Sequence, residues 1–173
     1  MSRAVLALLV VSAVSTSLMD RARAQSPAQG TTPANLAQLM RGTLYPESNV
    51  VFAAQDVNPA EVPHAKDPAM ATDPLASQYG KWQAVENNAL AIAEVADLLN
   101  VPGRKCANGL DVPVKNPDWA KFVQELRDAG MTAYAAAQTK NQDKMTDAAD
   151  VMTTACMHCH VKYREKRAAD RCK

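Results

Sequence analysis

The apolar positions of the chain fall into four stretches of helical period, and no stretch keeps up the period of two that marks a half-buried strand. In the first stretch Leu36, Leu39, Met40 and Leu44 recur at three- and four-residue spacing. Thr32 is placed to cap this helix and Pro33 to open it, while Pro46 kinks or interrupts it before Val50, Val51 and Phe52 carry the apolar face on. A helix in two pieces over 33–55 is the expectation. A second helix is predicted over 75–99, with Tyr79, Trp82, Val85, Ala89, Ile92, Ala96 and Leu99 near one stripe, ended by Asn100-Val101-Pro102-Gly103. The third starts at Asn116-Pro117, cap and first residue, and runs to 138 through Trp119, Phe122, Val123, Leu126, Met131 and Tyr134. A turn at Lys140-Asn141 leads into the fourth, over 141–168, through Met145, Ala148, Met152, Ala155 and Cys159.

Helices of this length are marginal alone, but four amphipathic ones bury a common core. The pattern therefore predicts an all-α fold, a four-helix bundle, in a single domain over 33–173. Two connections stand out. Residues 56–74 hold Pro59, Pro63, Pro68 and Pro74 among Asp and Asn, which is loop chemistry, and so long a connection is either functional or wraps the bundle. His64 within it reads as a surface histidine. The second loop, 104–116, carries Cys106 and an Asn108-Gly109 turn.

The first 24 residues change the compartment. Arg3, an apolar run over 4–14 and an Ala22-Arg23-Ala24 cleavage pattern read as a secretory signal peptide over 1–24, with a run too short to span a bilayer. Residues 25–32 are small and polar, a flexible lead-in. Removing 1–24 takes the net charge from +1 to −1, and a balance so close to neutral does not suggest a nucleic-acid partner. With Cys156 and Cys159 taken up by the motif at 156–160, two of the four cysteines are left over, and export makes such a pair a disulfide candidate. Cys106 and Cys172 stand 66 residues apart, a closure contributing about 4 kcal/mol in the chain-entropy model. Two unpaired thiols are the alternative.

The chemistry concentrates in Cys156-x-x-Cys159-His160, the spacing of a c-type haem attachment motif. On a helix, positions three and four apart share a face, so Cys156, Cys159 and His160 converge while His158 points to solvent. Three other readings compete. A redox Cys-x-x-Cys pair wants a βαβ context, and none is legible here. Zinc needs four ligands, of which these residues supply three, the fourth falling to His64, His158 or a distant cysteine. Plain buried thiols are the third.

In these residues the chain resembles the class II c-type cytochromes, the family of cytochrome c prime and its low-spin relatives. Cys156-Met157-His158-Cys159-His160-Val161-Lys162-Tyr163-Arg164 is similar to their Cys-x-x-Cys-His-x-x-Tyr-Arg pattern near the C-terminus. The resemblance implies an antiparallel up-down-up-down four-helix bundle with one haem c attached to the last helix through Cys156 and Cys159. It further implies iron ligated by His160 and, from the first helix, by Met40, with Leu36 and Leu39 as neighbours that a one-turn shift would bring over the iron. Tyr163 would flank the ring edge, and Lys162, Arg164 and Arg167 would meet its propionates. In that topology Met40 and His160 lie at comparable depth from the end of the bundle where Cys106 and Cys172 also fall.

The function so implied is a periplasmic one-electron carrier, not an enzyme, meeting redox partner proteins transiently, as a monomer or homodimer, with no stable membrane anchor. The alternative is a five-coordinate haem protein binding NO or CO.

Overall fold

The computed structural model describes residues 32–165 and Cys172. The expected signal peptide, 1–24, and all of the lead-in but Thr32 lie outside the described residues.

Four helical segments pack into a bundle. The first is α1 (Leu36–Leu39), a π-helical turn (Met40–Leu44) and α2 (Tyr45–Asp56). The second is α3 (Lys81–Ala96), extended by a 3-10 turn, Asp97–Asn100. The third is α4 (Pro117–Gln138), and the fourth is α5 (Gln142–Cys159) followed by a second π turn, His160–Arg164. α4 packs between α3 and α5, and α2 touches both of those helices. No described helix is long and apolar enough to cross a membrane.

Local chemistry explains where the boundaries depart from the periodic pattern. The first helix starts later than Pro33 because Asn35 and Gln38 form a reciprocal capping box, each side-chain oxygen accepting from the other's backbone N–H at 2.9 Å. Pro46 does interrupt the helix, but the change falls on the turn before it. Proline has no N–H for the carbonyl four residues back, and Tyr45 N–H bonds to Met40 O five residues back, widening the turn. The second helix starts at Lys81 and not at 75. Leu75 belongs to a separate 3-10 turn, Pro74–Ala76, whose Leu75 N–H donates to the Asp73 carboxylate at 2.9 Å. Gly80 is folded so tightly against the Leu75 and Ser77 carbonyls that a Cβ would clash with both. The 56–74 connection is a loop, as expected, with short 3-10 turns at Pro59–Glu61 and Pro68–Met70.

The core is deepest where α3 and α4 cross. Ala89, Ala93 and Ala96 on one helix and Ala129, Gly130, Ala133 and Ala137 on the other are buried. A Cβ on Gly130 would lie 2.9 Å from both Ala89 O and Ala93 N. Both are backbone atoms, so no side-chain rotation relieves the contact. Alanine is the better helix former by about 1 kcal/mol, yet overpacking costs about 1–3 kcal/mol. Gly130→Ala is therefore expected to lower the unfolding free energy by on the order of 1 kcal/mol. Urea unfolding checks this: the midpoint should fall at unchanged slope, and an unmoved or raised midpoint would show that the helices separate freely.

Candidate functional site

α4 has two unlike halves. Beyond Ala129 its buried residues are small, whereas Trp119, Phe122, Val123 and Leu126 in its first half border a cavity of about 630 Å³. The opposite wall is Leu36, Ala37, Met40, Arg41 and Leu44 of α1 and the first π turn. Leu99, Ala155, Cys156, Cys159, His160, Tyr163, Arg164 and Cys172 complete the lining.

Long-range ties hold this end of the bundle together. Cys106 and Cys172 form a disulfide with their Cα atoms 5.0 Å apart, as the sequence suggested. Leu36 N–H donates to Lys105 O at 2.8 Å, anchoring the start of α1 on the loop that carries Cys106. Arg104 is only 5% exposed and donates from Nε to Leu98 O at 3.2 Å and from its terminal nitrogen to Ala34 O at 2.5 Å. Burial pushes its guanidinium down from the ordinary arginine range. Trp119 Nε1–H donates to Leu99 O at 3.3 Å.

All four residues singled out in the sequence come to this cavity. Cys156 and Cys159 are unpaired and half-buried. Burial pushes the Cys156 thiol up against a smaller opposing pull from Arg164. Cys159 is pushed up to about 11 by burial, then by Cys156, Asp118 and Glu125. His160 is held below the ordinary imidazole value by burial and by Arg164, with Glu165 opposing. At neutral pH the wall presents two thiols, not thiolates, and a neutral imidazole. Met40 lies across the cavity on the first π turn.

His158 points away to solvent, as its place in the motif implied, with Nδ1 2.8 Å from Glu125 Oε2. His64 is exposed as well, 3.0 Å from Ser77 O.

Tyr163 is buried, its ring edge-on to Trp119 at 5.0 Å and to Phe122 at 6.3 Å. Its hydroxyl donates to Asp118 Oδ1 at 2.7 Å and accepts from Asn116 at 3.2 Å. Lys162 lies 2.9 Å from Asp118 Oδ2, and Arg164 2.7 Å from Glu165. The cations expected to face propionates thus pair with carboxylates of the chain itself, and Arg167 lies outside the described residues. Sequence reading missed Arg104 and Asp118. Asp118 carried a faint signal as an acid in the first turn of a helix, but nothing local marks a loop arginine as buried.

No family model, no curated protein and no solved structure matches the chain. The resemblance to the class II c-type cytochromes is overturned by this result. Nor do the donors fit the metal centre that the resemblance implied: among the described residues no group of three or more His, Cys, Asp and Glu side chains is gathered to hold a metal ion. The physical reason is that sharing a face is not enough. His160 N–H still bonds Cys156 O four residues back, before the π turn begins, so the three residues do line one cavity, yet they are not gathered into a group that could hold a metal ion. The cysteine pairing that the structure contains is the distant one, Cys106 with Cys172. The haem c on Cys156 and Cys159, the iron between His160 and Met40, the one-electron carrier role and the NO- or CO-binding alternative are corrected accordingly.

Two outcomes follow from the ionisation of this end. The Asp118 carboxyl is held below its ordinary 3.8 by the bonds from Lys162 and then Tyr163, and Lys162 is held above its ordinary 10.5 by Asp118. The pair therefore stabilises the fold between those two values. Its contribution disappears as acid takes the pH down through the folded Asp118 value, or as alkali takes it up through the folded Lys162 value. Asp118→Asn is expected to flatten the loss of stability as the pH falls below about 4, read from urea midpoints. Parallel acid limbs in the two proteins would place the acid sensitivity elsewhere. Separately, Cys159 in the folded protein should react with iodoacetamide at pH 8 roughly ten- to a hundredfold more slowly than in urea, since so little of it is thiolate. Equal rates would contradict its burial.

Proposed function

We propose that this chain is an exported binding protein whose ligand is an apolar, ring-sized organic acid held in the cavity between α1, α4 and α5. The observation that carries this reading is the cavity itself. At about 630 Å³ it has the size and the largely apolar lining of a small-molecule site, with a few convergent polar groups. In this reading Met40, Cys156, Cys159 and His160 are ligand contacts that supply soft, polarisable atoms and one neutral imidazole. Arg41, on the rim, takes the acidic group. Leu36, Leu44, Phe122 and Leu126 supply most of the favourable burial.

Binding without catalysis is favoured by the same groups. The thiols are protonated, and a nucleophile would need them depressed. Export is supported by the signal-like residues 1–24 and by the Cys106–Cys172 disulfide. An up-down-up-down course is supported by the short link at 139–141 between the adjacent helices α4 and α5, which favours an antiparallel pair.

The test uses 1-anilinonaphthalene-8-sulfonate, an apolar ring system with one anionic group, titrated into the folded protein. One probe per chain is expected, with energy transfer from tryptophan. Ala37→Phe, which fills the cavity from α1, should weaken binding at least about tenfold, and Arg41→Gln should weaken it less. Absence of saturable binding, or binding indifferent to both variants, would remove this reading. The protein isolated from its natural source is also denatured and its reactive thiols counted. Two leave Cys156 and Cys159 as non-covalent contacts. None, with extra mass on the tryptic peptide that spans 145–162, would make them covalent anchors and replace the reversible binding proposed here.

A further inference from the structure

The cavity has one boundary that no side chain of its own lining sets. Arg104 is the only charged or polar residue among the described buried side chains, and its hydrogen-bond partners are two backbone carbonyls, of Leu98 and Ala34. Leu98 directly precedes Leu99, and Ala34 comes two residues before Leu36; both Leu99 and Leu36 line the cavity. A single rigid guanidinium therefore links these two parts of the lining. Leu98 also lies in the last turn of the second helical segment, where the exposed carbonyl ends of a helix favour a cation. The buried charge is compensated there by dipoles and not by a carboxylate. The neighbouring backbone bond, Leu36 N–H to Lys105 O, ties α1 to the same loop, and the guanidinium adds to it a direct link between Ala34 and Leu98.

Resting on the binding role proposed above, we infer that Arg104 is a positioning residue that holds the Leu36 and Leu99 parts of the cavity lining at a fixed separation, and thereby limits the largest ligand admitted. It touches no ligand. Its planar fork reaches both carbonyls at once, and the single ammonium of lysine lacks the two separately directed donors needed to replace it. In Arg104→Lys one of the two guanidinium bonds is lost, and the separation of Leu36 from Leu99 is then held more loosely, by the backbone bond to Lys105 O.

The experiment compares two anionic probes of the same chemistry and different size, 1-anilinonaphthalene-8-sulfonate and its doubled analogue bis-ANS. Both are titrated into wild type, Arg104→Lys, Arg104→Gln and Gly130→Ala. The last lowers stability at the α3–α4 crossing, away from the cavity, and reports what simple destabilisation does. The expected result is a shift of the affinity ratio toward bis-ANS by at least about fivefold in both Arg104 variants, with the ratio in Gly130→Ala unchanged. A constant ratio in the Arg104 variants, or an equal shift in Gly130→Ala, overturns the positioning role while leaving the binding site intact. Failure of wild type to bind either probe instead overturns the binding role itself. Should Arg104→Lys not fold, Arg104→Gln carries the comparison, since it keeps a short donor without the charge.

Discussion

Two helices can approach only as closely as the atoms between them allow, and the crossing of α3 and α4 at Gly130 is where the backbones of this bundle come nearest to contact. With Ala89 O and Ala93 N so near, the backbones are almost in contact. The small residues beyond Ala129 keep that part of the bundle tight and dry. The first half of α4 carries Trp119, Phe122 and Leu126, too large for the same spacing, and the helices there do not close on one another. A bundle tight in one half and wide in the other leaves a space, and that space is the cavity.

A wide end is also an end at which backbone groups lose their helical partners, and each needs another one. This accounts for the concentration of long-range polar ties there. Arg104 satisfies carbonyls from two segments, Trp119 satisfies Leu99, and Tyr163, Asn116, Asp118 and Lys162 join the last helix to the start of α4. The disulfide adds a covalent tie between the second loop and the C-terminal end. Ion pairs elsewhere, such as Lys105 with Asp111 and Arg127 with Asp97, are solvated and contribute little by comparison. The ties at the wide end hold an otherwise loose rim in one arrangement, which is what a selective binding site requires.

The candidate site was legible as a set of residues but not as chemistry. Cys156, Cys159 and His160 share one cavity, because helical spacing correctly reports which side chains of one helix lie on one face, and Met40 joins them from the first segment, where only the resemblance had placed it. Spacing says nothing of whether residues on one face are gathered closely enough to hold a metal ion. Nor does it report the neighbours that assign each side chain its work. Lys162 and Arg164 looked free for an external anion until the fold supplied Asp118 and Glu165. Two parts of the cavity lining, and the arginine that links them, come from residues roughly seventy apart in the chain.

The sequence by itself determined four helical segments, the break near Pro46, the loop character of 56–74, and the start of the third helix at Asn116-Pro117. These depend on local effects: periodicity, a missing N–H and a preset φ, although the Asn116 side chain does not cap its helix and donates to Tyr163 instead. The sequence named Cys106 with Cys172 as a candidate pair only by assigning Cys156 and Cys159 to a haem, a premise that did not hold, so the disulfide itself was decided by the fold. The tertiary structure alone decided that Gly80 delays the second helix, that α4 divides into a tight half and an open one, that Arg104 is buried, and that Tyr163 and Lys162 converge on Asp118. Apart from Gly80, which is crowded by the carbonyls of Leu75 and Ser77 just before it, each of these is a contact between segments distant in sequence, and its energy depends on how closely they approach. Residue type limits that distance; only the packed helices set it.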